Sequence, residues 1–77
     1  MSTKTYEHIM QGHDKNIRFT ELCRTLKNAN FYCRIKGDHH IFTRDDIPEI
    51  INIQPLGKMA KAYQVKQIRM LFEKYNI

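Results

Sequence analysis

His39 and His40 follow a glycine turn, Gly37-Asp38, and Arg34 and Lys36 come just before it. An imidazole titrates near neutral pH. It can take a proton from a ribose 2′-hydroxyl or give one to a leaving 5′-oxygen, while adjacent cations hold the phosphate and offset charge in the transition state. This is the minimum equipment for metal-independent cleavage of RNA, with His40 in the proton-transfer role. A metal-binding reading would recruit His8, His13, His39 and His40. Adjacent strand residues point to opposite faces and do not readily chelate one ion, so no metal or other cofactor is expected. The bland reading of the same residues is a polar hairpin turn.

The elements around the histidines have to present them. From Phe31 the pattern alternates: Phe31, Cys33 and Ile35 point one way, and Tyr32, Arg34 and Lys36 the other, which is the mark of a half-buried strand. Gly37-Asp38 signals a hairpin, a second strand covers residues 39–44, Asp45-Asp46 with Pro48 turns the chain, and a third strand covers residues 49–54. Upstream, residues 3–11 form a short accessory helix closed at Gly12. A second helix follows with Thr20 as its N-cap and Leu22, Cys23, Leu26 and Ala29 on its buried face. A last helix over residues 63–75 buries Val65, Ile68, Leu71, Phe72 and Tyr75. The expected fold is α+β in the order α-α-β-β-β-α, a three-stranded antiparallel sheet with helices on one face and the other face open.

Hairpin register decides what the open face carries, because a slip of one residue exchanges the two sides of the second strand. With a two-residue loop, His40 and Phe42 join Cys33 and Ile35 inside and Ile41 is exposed. With a three-residue loop ending at His39, Ile41 goes inside, and Tyr32, Arg34, Lys36, His40, Phe42 and Arg44 share the wet face. The second register is preferred because it buries an isoleucine in place of an imidazole. It leaves Tyr32 and Phe42 as candidate platforms for stacking bases.

The 77 residues allow one domain, with residues 1–18 as an N-terminal helical extension and 19–75 as the core. A chain of this size cannot build a deep pocket, which favours a macromolecular substrate. A hydrophobic share of 42% and a charged share of 27% are those of a folded protein. Net charge is +5, and the positive field gathers towards the C-terminus, where Lys58, Lys61, Lys66, Arg69 and Lys74 face Glu73 alone. Such a field attracts polyanions. Lys58, Lys61 and Lys66 are candidate phosphate contacts around the start of the last helix, whereas Arg69 and Lys74 read as solvent-facing. No apolar run approaches the roughly 18 residues that span a bilayer, and Lys4, Glu7 and His8 interrupt any signal peptide, so a cytoplasmic protein with no membrane partner is expected. Cys23 and Cys33 read as reduced core residues.

The run Arg34-Ile35-Lys36-Gly37-Asp38-His39-His40-Ile41-Phe42 is followed by Glu49-Ile50-Ile51-Asn52-Ile53-Gln54-Pro55 and Tyr63-Gln64-Val65-Lys66-Gln67-Ile68-Arg69. These segments resemble the HicA family, the ribonuclease halves of toxin–antitoxin pairs, over residues 19–75. The resemblance implies a double-stranded-RNA-binding-domain-like fold and cleavage of mRNA that stops growth. It also implies a HicB-type antitoxin as partner. In that family a glycine turn is followed by serine, a variable position and the catalytic histidine. Gly37 and His40 match, His39 takes the variable place and Asp38 stands where serine is usual. Asp38 and His39 are therefore candidate modulators: a carboxylate there would repel the phosphate or orient the imidazole. Arg34, Lys36, Gly37, Lys58, Lys61, Lys66, Tyr32 and Phe42 are the expected RNA contacts. An RNA-binding module of the same fold without chemistry is the competing reading.

Overall fold

The computed structural model describes residues 4–77, so the expected helix start at Thr3 lies outside the described residues. The chain forms α1 (Lys4–Met10), α2 (Phe19–Asn28), β1 (Tyr32–Lys36), β2 (His39–Arg44), β3 (Ile47–Ile53) and α3 (Ala62–Tyr75). The strands make an antiparallel sheet in the order β1-β2-β3. This is the α-α-β-β-β-α order that the alternating and helical periodicities imply, and it fits the dsRBD-like fold that the family resemblance implies.

One core joins the inner sheet face to the helices. Leu22 and Leu26 of α2, Phe42 and Ile53 of the sheet, and Val65, Ile68 and Phe72 of α3 are fully or almost fully buried. Helix α1 is more than an accessory. Ile9 is fully buried, Tyr6 donates a hydrogen bond from its hydroxyl to the Ile77 carbonyl at 2.7 Å, and its ring lies 5.9 Å from that of Phe72. Arg69, expected in solvent, instead pairs with Asp14 and reaches the Ile9 carbonyl at 3.4 Å, which ties α3 to the segment after α1. Lys74 stays mostly in solvent, as expected, while pairing with Glu49 at 2.8 Å.

Two boundaries differ from expectation for reasons of pairing. Helix α2 starts at Phe19, not after Thr20. Arg18 is the extended N-cap residue, and its guanidinium has no acceptor with which to cap; the Phe19 amide donates instead to the Lys58 carbonyl at 3.0 Å and the Ala60 amide to the Ile17 carbonyl at 2.8 Å. The partner that satisfies an end of the helix therefore lies some forty positions away, beyond the reach of a local capping rule. Strand β3 starts at Ile47 and includes Pro48, which an edge strand tolerates because it needs no amide on its outer side.

The hairpin has the register that was not preferred. Lys36 faces His39, Ile35 faces His40, Arg34 faces Ile41 and Cys33 faces Phe42, leaving Gly37-Asp38 as a two-residue loop. Gly37 sits at φ +60°, the left-handed value that a glycine-first hairpin turn requires. Phe42 is 0% exposed and belongs to the core, so it is no platform for stacking. The alternative register would bury Ile41 but put the phenyl ring of Phe42 in water. Complete burial of such a ring is worth about 1.5–3 kcal/mol, while His40 at the end of the strand is only half-buried and keeps contact with water.

Candidate functional site

The register separates two neighbouring imidazoles. His39 lies on the open face with Lys36, Arg34 and Tyr32, and its ring is fully engaged. Nδ1 lies 3.0 Å from Asn52 Oδ1, so it donates; Nε2 lies 3.0 Å from Gln54 Nε2, so it accepts. Lys61 Nζ reaches Gln54 Oε1 at 3.5 Å and extends the chain to the start of α3. These partners fit a neutral ring with its hydrogen on Nδ1, held as part of a polar network.

His40 faces the helix side. Its Nδ1 lies 3.3 Å from the main-chain carbonyl of Asp38. A carbonyl can only accept, so Nδ1 carries the hydrogen and the lone pair of the neutral ring falls on Nε2, which has no hydrogen-bond partner among the described residues. The phenyl ring of Phe19 meets the imidazole edge to face at 4.8 Å and fixes its plane. Asp38 thus acts through its backbone, and its exposed carboxylate makes no hydrogen bond to the ring. An orienting oxygen of this kind is available whatever side chain occupies position 38.

Around His40 runs a shallow groove of about 290 Å³ between α2 and the first hairpin, lined by Phe19, Thr20, Cys23, Arg24 and Lys27 from α2, Cys33 and Ile35 from β1, and His40 itself. Sequence reasoning missed the cations Arg24 and Lys27. They were legible as a stripe, since Thr20, Cys23, Arg24 and Lys27 follow the i, i+3, i+4, i+7 spacing of one helix face. Ile35, expected inside, is 64% exposed on the edge strand directly across from His40. The thiols are free, but each is half-buried at the groove where a core position was expected; burial, then the neighbouring Cys33, pushes the Cys23 thiol up to about 11.

The expected RNA contacts are divided. Arg34, Lys36 and Tyr32 point away from His40 on the open face, and Phe42 is inside. Arg44, expected on the open face, turns to the helix side, donating to the Ala29 carbonyl at 2.9 Å, pairing with Asp46 at 2.8 Å and lying over the Phe31 ring at 5.7 Å. The loop carrying Lys58 is joined to the base of the groove by the Phe19 amide, and Lys61 stands at the His39 network, whereas Lys66 is exposed on α3. No three His, Cys, Asp or Glu side chains among the described residues form a metal-holding group, and no helix among them is long and apolar enough to cross a membrane.

A small dsRBD-like α+β protein with a half-buried histidine in a cationic groove is the class that these observations define. Residues 19–74 match the family model described as the HicA toxin of bacterial toxin–antitoxin systems, and the chain belongs to that family. Its role is accordingly that of the toxin in such a pair, with an antitoxin as the other member. Comparison with curated proteins and comparison with solved structures gave no match.

Proposed function

We propose that this toxin is an endoribonuclease that cuts mRNA and so inhibits translation and growth, with His40 as general acid/base and a HicB-type antitoxin as its neutralising partner. The observation that carries the reading is the contact of His40 Nδ1 with the Asp38 carbonyl at 3.3 Å, which assigns the ring hydrogen to Nδ1. With Nδ1 hydrogen on the Asp38 carbonyl, Nε2 offers its lone pair to the groove. Nε2 takes the proton of a ribose 2′-hydroxyl, the 2′-oxygen attacks the adjoining phosphorus, and the bond to the 5′-oxygen breaks. That oxygen leaves with a proton from solvent, and the imidazolium returns its own proton to solvent. The products are a 2′,3′-cyclic phosphate and a 5′-hydroxyl. Groove cations offset the charge on the phosphorane, and Gly37 gives the backbone the turn that brings the Asp38 carbonyl within reach of Nδ1.

Lys58, Lys61 and Lys66 strengthen the field at this end of the molecule. Arg34, Lys36 and Tyr32, on the other side of β1, act at longer range. The test is cleavage of labelled RNA by purified protein with and without excess chelator. Cleavage by the wild type that survives chelation and collapses in His40→Ala, with RNA affinity retained, is the expected result. Intact RNA after prolonged incubation with wild-type protein would leave only the binding module.

A further inference from the structure

The groove holds more than proton transfer needs. Its α2 wall is a stripe with two cations, Arg24 and Lys27, and its opposite wall carries Ile35, an aliphatic side chain 64% exposed beside the imidazole. The Arg24 pairing with Glu21 at 2.9 Å is a solvent-exposed i, i+3 contact, weak enough for a phosphate to replace it. Lys27 makes no ion pair among the described residues. One side of the groove therefore suits a phosphate and the other a flat apolar surface, with His40 between them. At about 290 Å³ the space is at the lower limit of ligand clefts, roughly 300 Å³. It is on the scale of one nucleotide.

We propose that the groove between α2 and the first hairpin is a single-nucleotide subsite that takes one unpaired nucleotide of the substrate RNA. The base packs on Ile35, and the phosphate lies against Arg24 and Lys27. This rests on the nuclease reading of His40 and makes the substrate class single-stranded RNA. A base can enter only if it has left its stack, and a duplex keeps its bases stacked and paired. The path of the RNA then follows the helix side of the hairpin and not the open sheet face.

Binding is measured in His40→Ala protein, so that affinity is read whether or not the chain cleaves. The probes are a fluorescent mixed-sequence oligoribonucleotide and the same strand annealed to its complement. Arg24→Ala with Lys27→Ala should lower the slope of log affinity against log salt by about 1.4, two phosphate contacts on a single strand. Arg34→Ala with Lys36→Ala removes the same charge from the other face and should change the slope less. Ile35→Ser, on the opposite wall, should weaken the single strand with no change of charge and so independently of the cations, and the exposed positions of all five side chains should keep the thermal melts alike. A slope loss from the open-face pair as large as that from the groove pair, no loss from either, full affinity in Ile35→Ser, or duplex binding as tight as single-strand binding would each overturn the subsite. Failure of the nuclease reading is a separate outcome, intact RNA with the wild-type chain.

Discussion

His39 and His40 are neighbours in the chain, yet the open face and the groove make different groups of them. On the open face both nitrogens of His39 are consumed by Asn52 and Gln54, so the ring serves as a link in an amide network. In the groove His40 has a main-chain partner on Nδ1 and none on Nε2 among the described residues, and Arg24 and Lys27 line the same groove. Residue type does not separate a structural histidine from a candidate catalyst. The number of ring nitrogens left without a partner does.

The largest expected effect tests that contrast directly. His40→Ala should lower RNA cleavage by about a hundred- to ten-thousand-fold, the usual cost of losing a general acid/base, while His39→Ala loses far less activity and about 1 kcal/mol of stability from its exposed hydrogen bonds. Comparable losses of cleavage in the two variants, read from rates on one labelled transcript, would break the comparison. Next comes Phe42→Ala, for which the register implies destabilisation of about 3–5 kcal/mol in urea unfolding. Were Phe42 a stacking surface on the open face, RNA affinity would fall while the urea midpoint stayed in place.

Smaller effects come from titration at Glu49, against α3, and at Cys23, in the groove. Hydrogen bonds from Lys74 first and Tyr75 second hold the Glu49 carboxyl below its ordinary value of 4.5. A lowered carboxylate contributes stability above its unfolded value that is lost as pH falls through the folded one. The chain should therefore lose stability on acidification below about 4.5, and Glu49→Gln should flatten that acid limb in a pH series of thermal melts; an unchanged limb would remove Glu49 from the account. In the groove, the raised Cys23 thiol should be alkylated slowly at neutral pH, with a rate that climbs towards about 11 and not through the ordinary 9.0. A rate that levels off near 9 in a Cys33→Ser background, after allowing for the loss of the Cys33 contribution, would place that thiol in water instead.

Much of the fold was legible because each periodicity belongs to one kind of element. The alternation from Phe31 to Lys36, the Gly37-Asp38 turn and the apolar spacing of Val65, Ile68 and Phe72 fix strand, hairpin and helix locally. The place of α1 was not legible. Tyr6 bonds to the last residue of the chain and Arg69 to Asp14, and neither spacing has any local signature. The groove was half-legible: its helix stripe could be counted, but the strand it faces could not.

By itself the sequence determined the order of elements, the basic balance and the pairing of a glycine turn with two histidines, since these depend on residue type and short-range spacing. Only the tertiary structure decided which histidine meets the groove. Register is a choice between two faces made for the whole strand at once, and burial of Phe42 against the helices settled it for His40 two residues away.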